Sequence, residues 1–202
     1  TTSGQLGTAL DLTGGSIMIE DADWTWQAGD DLISSGWYFQ STIDTGALWQ
    51  FGDNPGGGND PGYVEYMPWY DSTDRGYSRF GVTSGADFRF DRDGTIWHHF
   101  TTIGRADIGQ TNFIYDNNIQ RDSVVQTVSN PTNTGLKLGR YQTGTYMNII
   151  IDELRFATNT RSVDWVDAEF SNQASTSEFF STSTMESTGD AATTFTLNEV
   201  VT

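Results

Sequence analysis

Gln110-Thr-Asn-Phe-Ile-Tyr115-Asp116-Asn117-Asn118-Ile119-Gln-Arg-Asp-Ser-Val-Val125 reads as a β-hairpin. Residues 110–115 and 118–125 carry β-branched and aromatic side chains in alternation. The Asp116-Asn117-Asn118 between them supplies asparagines that tolerate the left-handed backbone of a tight hairpin turn. The same two-residue period recurs outward from this point, at 98–104, 87–92, 77–82, 63–69, 47–52, 35–41, 16–19 and 9–11 on one side and at 136–138 and 148–156 on the other. Glycine and Asx clusters separate these runs. Many short antiparallel strands punctuated in this way predict an all-β protein, a two-sheet sandwich or a barrel, with fewer than about a tenth of its residues helical.

Two segments break the pattern. Residues 52–62, Gly-Asp-Asn-Pro-Gly-Gly-Gly-Asn-Asp-Pro-Gly, hold five glycines and two prolines and predict a long loop between strands. Residues 162–170 predict the one helix: Ser162 is a capping residue, and Trp165, Val166, Ala168 and Phe170 give a partial apolar face.

The chain has 202 residues, long enough to bury one core without covalent staples, and one large domain is expected. Ten basic residues against 27 acidic ones give a net charge of −17. A surface this negative repels phosphate, which argues against nucleic acid and anionic membranes as partners. The absence of cysteine removes disulfides, thiolate nucleophiles and thiolate metal sites together. No apolar run reaches the length of a membrane span, and Thr1-Thr-Ser-Gly reads as the start of a mature or trimmed product. From Ser171 onward serine and threonine fill 14 of 32 positions and no basic residue occurs. We therefore divide the chain into a domain over 1–180 and a tail over 181–202. The end of that tail, from Thr193 to Val201, alternates like a strand and predicts pairing with a sheet edge, in this chain or a neighbouring one.

Three ordered phrases resemble the laminin-G-like, concanavalin A-like jelly-roll family. The first is Gly7-Thr-Ala-Leu-Asp-Leu-Thr-Gly-Gly-Ser-Ile-Met-Ile. The second is Trp97-His98-His99-Phe100, followed by Tyr115-Asp116-Asn117 where family members usually have Val-Asp-Gly. The third is Leu136-Lys-Leu-Gly139 with Ile151-Asp152-Glu153-Leu154-Arg155-Phe156. The resemblance implies a two-sheet antiparallel jelly-roll sandwich whose first and last strands pair. It implies Trp37 and Trp97 as core residues. It also implies one structural calcium, with Asp152 where some relatives bind the ion and Asp11 beside it on the opening strand. It implies no reaction, because the family includes binders, adhesins, structural modules and distant glycosidases.

Catalysis is not expected. Glycoside hydrolysis needs two carboxylates across the sugar. The Glu-x-Asp-x-x-Glu strand of β-glucanases sharing this fold is absent, and Asp164, Asp167 and Glu169 read as the polar face of the helix. His98 and His99 are adjacent, so on a strand they point to opposite faces and cannot share a metal; one packed and one surface imidazole is the expectation. Oxygen-rich Asp53, Asn54, Asn59 and Asp60 lie in the glycine loop. The segment from Trp49 to Tyr77 is the richest in aromatics interleaved with acids. Aromatic faces stack on sugars while nearby amides and carboxylates take the hydroxyls. Tyr63, Glu65, Trp69, Tyr70, Asp71 and Arg75 are the expected ligand-binding residues, with Tyr63 and Glu65 facing outward if Val64 and Tyr66 face the core.

The expected function is a noncatalytic extracellular recognition or adhesion module at a cell or virion surface, with a glycan or a neighbouring surface protein as partner. The alternative is a structural subunit of a filament, surface layer or virion, self-assembling through its C-terminal strand.

Overall fold

The computed structural model describes residues 1–19, 30–40, 46–51, 63–66, 75–80, 86–89, 96–105, 111–125, 136–141, 145–159 and 161–175. Trp69, Tyr70, Asp71, the glycine loop and the tail with its 193–201 segment lie outside these residues.

Seven strands form one antiparallel sheet. In spatial order they are β1 (Thr2–Gly4), β2 (Gly7–Asp11), β15 (Ile150–Ala157), β4 (Leu32–Phe39), β9 (His98–Arg105), β10 (Thr111–Asp116) and β11 (Ile119–Val125). Six form the second sheet: β3 (Ile17–Ile19), β12 (Leu136–Leu138), β5 (Trp49–Phe51), β6 (Tyr63–Tyr66), β7 (Arg75–Phe80) and β8 (Ala86–Arg89). A small ribbon pairs β13 (Arg140–Tyr141) with β14 (Thr145–Tyr146). The one helix among the described residues, α1 (Val163–Ala174), follows β15. It is not long and apolar enough to cross a membrane. The opening and closing strands pair as expected, with Ile150 opposite Asp11 and Ile151 opposite Leu10.

The hairpin over residues 111–125 folds as its asparagines require. Asp116 pairs with Ile119 across a two-residue turn, and Asn117 and Asn118 have φ of 46° and 60°. Positive φ at both central residues is the type I′ signature, whose twist matches that of the strands it joins.

The core lies between the sheets. Leu32, Tyr38, Phe100, Ile114 and Ile151 from the seven-stranded sheet meet Trp49, Phe51, Leu136 and Leu138 from the other. Trp49 bridges the layers: its ring meets Phe156 edge-on at 5.0 Å and its Nε1 donates to Ser34 Oγ at 3.2 Å. The central strands β4 and β9 are buried on both faces, a condition usually met by parallel sheets. The second cover is α1. Ser162 caps it by accepting from Trp165 N at 3.2 Å, and Val166, Glu169 and Gln173 form its buried side at spacings of three and four. The helix runs to Ala174, one turn beyond the apolar face that predicted it, because two of its three buried residues are polar.

Candidate functional site

Cross-strand partners in a sheet share a face, so the register of the six-stranded sheet sorts its residues. Leu138 pairs with Trp49, Trp49 with Glu65, Glu65 with Ser78 and Ser78 with Ala86. Leu138 and Trp49 belong to the core and Ser78 has no solvent exposure, so this is the inward row. Phe51 opposite Tyr63 belongs to the same face. Tyr63 and Glu65 therefore stand at inward register positions, the parity opposite to the one on which their outward placement was conditional. The outward positions of β6 are Val64 and Tyr66. Extending the same parity, the outer face carries Lys137, Gln50, Val64 and Arg79 in one row, Tyr66, Tyr77 and Asp87 in the next, and Arg75 and Arg89 beyond. Arg75 thus remains on the outer face. Gln50 has no solvent exposure, so the middle of the first row is covered.

The end of β12 leads into a second feature. The Leu48 carbonyl, just before β5, accepts from Gly139 N at 2.9 Å. Gly139, at φ 67°, turns the chain from β12 into the β13–β14 ribbon, where the Arg140 guanidinium lies 5.4 Å from the ring centre of half-exposed Tyr146.

The outer face of the seven-stranded sheet is closed by α1 over a polar layer. Trp37 Nε1 donates to Gln173 Oε1 at 2.6 Å, and the indole stacks on Phe170 at 5.7 Å. Glu169 Oε1 accepts from Ser35 Oγ at 3.0 Å and from Arg155 Nη1 at 2.9 Å, while Arg155 Nη2 pairs with Glu153 at 2.6 Å. Glu169 is buried here, so it belongs to the covered side of the helix and not to the polar face assigned to it from sequence. Burial raises its pKa, opposed by the hydrogen bonds from Ser35 and Arg155.

A β-bulge aims Arg155 at this layer. Asp152 pairs with Trp37 and Arg155 with Ser35, so Glu153 and Leu154 together face the single residue Gly36, with Glu153 at φ 52°.

Both imidazoles are buried, His98 at 6% exposure and His99 at 1%, which corrects the expectation of one surface histidine. His98 stacks on Tyr38 at 5.3 Å inside the sandwich, with Nδ1 3.5 Å from Asp116 Oδ1, whose other oxygen takes Arg121 Nη2 at 2.9 Å. His99 packs edge-on against both Trp37 and Phe170, at 5.0 and 5.6 Å. Burial, reinforced by the Arg155 charge, lowers its pKa to about 4. A strand covered on both faces has no surface side, and only the position of α1 reveals this.

Asp152 is buried, with Oδ2 accepting from Leu6 N at 2.8 Å in the β1–β2 turn. Asp11 lies on the neighbouring strand, where hydrogen bonds from the Thr13 side chain and from Thr13 N, the latter to Oδ1 at 2.9 Å, lower its pKa. Among the described residues no three acidic or histidine side chains gather around one point. An open cleft of about 600 Å³ lies beside Asp152 at the mouth of the sandwich, lined by Leu10, Leu136, Leu138, Ile151 and Phe156 among others.

No family model matches the chain, and no curated protein matches it. Solved structures do. Domain 4 of AbnA, an extracellular arabinanase from Geobacillus stearothermophilus in complex with arabinotriose, is similar with a TM-score of 0.63 and 19% identity, over 82% of this chain and 77% of that one. The likeness establishes a jelly-roll-type β-sandwich. The CBM40 of a Ruminococcus gnavus IT-sialidase, bound to α2,3 sialyllactose, is similar with a TM-score of 0.55 and 11% identity, over 80% of this chain and 98% of that one. The binding domain of botulinum neurotoxin serotype G matches with a TM-score of 0.63 and 13% identity over 83% of this chain, which spans 43% of that one.

Proposed function

We propose that this sandwich is a noncatalytic glycan-binding module and that its ligand lies on the outer face of the six-stranded sheet. The observation that carries the reading is the asymmetry between the two outer faces. One is sealed by α1 through Trp37, Ser35 and Arg155. The other bears Tyr66 and Tyr77 at paired register positions among residues able to hydrogen-bond hydroxyl groups. Tyrosine combines an apolar ring for a sugar face with a hydroxyl for its edge. Structural neighbours whose ligands are arabinotriose and sialyllactose support the reading. The noncatalytic assignment is supported by Glu169, a buried carboxylate engaged by Ser35 and Arg155. Such modules act outside the cell, where polysaccharides and glycoconjugates are displayed.

The test is a glycan array probed with the full chain, followed by titration of the best glycan against Tyr77→Ala. Binding that weakens about tenfold or more in the variant, as loss of a stacking ring predicts, supports the proposal. An array without a single bound glycan, or equal binding by the variant, overturns it. A structural calcium held by Asp152 with Asp11 is proposed alongside. A melting temperature that falls on chelation supports the ion, and one that does not move rejects it.

A further inference from the structure

We infer that a second copy of this chain docks on β11, the edge of the seven-stranded sheet, by antiparallel strand pairing across a two-fold axis. Among the described residues the edges of the two large sheets differ in length: β1 and β3 have three residues each and β8 has four, whereas β11 has seven. A strand of that length presents a row of backbone N–H and C=O groups that a further strand can take up. Among the described residues no strand pairs with its outer side. Apolar Ile119 and Val125, at its two ends, are open to solvent at 54% and 69% exposure.

The partner that fits this edge is the same edge. Cross-strand partners fix which side of the sheet each residue of β11 occupies. Ile119 pairs with Asp116, Asp122 with Ile114 and Val124 with Asn112, on the side of the sandwich interior, where Ile114 is core and Val124 packs against it. Gln120 pairs with Tyr115 and Ser123 with Phe113, on the side that α1 covers. Arg121 is the extra residue of a β-bulge between these pairs, and its Nη2 meets Asp116 Oδ2 at 2.9 Å, so it shares the inner side with Asp122. From 119 to 124 the order is inner, outer, inner, inner, outer, inner, which is the same in both directions. With the axis between Arg121 and Asp122, Ile119 therefore opposes Val124 of the second copy, Gln120 opposes Ser123 and Arg121 opposes Asp122, each pair occurring twice and on one side of the sheet. Apolar meets apolar, amide meets hydroxyl and guanidinium meets carboxylate, pairings of the kinds that stabilise antiparallel strands. A guanidinium has five donors, so Arg121 can serve Asp116 and the carboxylate of the second copy together. A bulge at an edge turns away a regular strand, whose sides fall out of step beyond it, whereas a copy with the same bulge stays in step. Because inner sides meet inner sides, the axis stands perpendicular to the sheet and sets both six-stranded sheets on one side of the dimer, both helices on the other. If the glycan-binding reading holds, the two outer faces address one displayed surface together, which raises avidity.

A ribbon of six residues a side falls below the roughly 1,200 Å² at which stable interfaces begin, so the dimer is weak and is sought at high concentration. Sedimentation equilibrium of the full chain at physiological salt, from about 1 μM to 1 mM, should show the average mass climbing from one chain toward two. D122R sets like charges opposite each other and I119K sets a charge against Val124, and each should raise the dissociation constant about tenfold or more. Thermal melts at the lowest concentration check that each variant keeps the fold. The register is tested separately by disulfides, since the chain has no cysteine of its own. Q120C mixed with S123C should cross-link, because opposed residues lie about 4.5–5.5 Å apart at Cα. Either variant alone should not, because its like residues stand two pairing positions apart, beyond the limit of about 7 Å. A mass of one chain at every concentration overturns the proposal, and so does association that neither D122R nor I119K weakens. Mixed and like disulfides in the statistical ratio overturn the register, even where both charge variants fail to fold. D122R should bind a monovalent glycan as the parent does, so failure of the dimer and failure of the glycan reading are told apart.

Discussion

Trp37 and Gln173 are 136 residues apart in sequence and joined by a hydrogen bond of 2.6 Å, strand to helix, with both residues buried. Trp37→Phe keeps an aromatic ring against Phe170 and His99 but leaves the Gln173 carboxamide oxygen buried without this donor. Such a vacancy costs about 1–3 kcal/mol. Urea denaturation should show a lower midpoint of that size with an unchanged slope, and amide exchange should rise first in α1.

His99 makes stability depend on pH. It is buried beneath α1 with a pKa lowered to about 4, mainly by desolvation. The unfolded chain therefore binds more protons than the folded one between about pH 4 and pH 6.5, and stability rises with pH across that window. The contribution, about 3 kcal/mol on the scale of 1.36 kcal/mol per pKa unit, is present above pH 6.5 and lost as pH falls toward 4. Glu169, with its pKa raised, acts in the other direction: its share is present at acid pH and lost as pH rises through its folded pKa. His99→Phe should flatten the dependence between pH 6.5 and 4, measured by thermal melts at steps of pH.

Gly36 is held by the bulge opposite it. A Cβ there would stand 3.1 Å from both the Asp152 carbonyl oxygen and Leu154 Cα, backbone atoms that cannot rotate away. Gly36→Ala should destabilise by about 1–3 kcal/mol through overpacking. It should also loosen the Arg155–Glu169 contact, because the bulge aims Arg155. The check is the melting temperature, with Glu169→Gln in both backgrounds to read the coupling.

Asn118 holds φ of 60° and donates from Nδ2 to Asp167 Oδ1 at 3.2 Å, joining the β10–β11 turn to α1. Asn118→Ala forces a Cβ residue without local hydrogen bonding into the left-handed region, at a cost of about 1 kcal/mol. Asn118→Gly meets the backbone demand and loses only an exposed contact, so it should remain within about 0.5 kcal/mol of the parent. Equal losses in the two variants would assign the effect to the Asp167 contact instead of the turn.

Sequence alone carried the alternation of strands, the Asp116–Asn118 hairpin and the start of the helix. Each is set by local chemistry: the two-residue period of a pleated chain, asparagine's tolerance of positive φ, and a serine cap. What faces what was decided by tertiary structure. Tyr63-Val-Glu-Tyr66 alternates whichever face is buried, and only the pairing of Glu65 with Trp49 and Tyr63 with Phe51 sets its parity. Glu169 and His99 carry polar side chains that local patterning assigns to solvent, yet α1 packs on β4 and β9 and buries both. Alternation is a property of one chain segment, whereas the choice of inner and outer face belongs to the sheet that segment joins, and that choice places the polar residues this fold has available for binding.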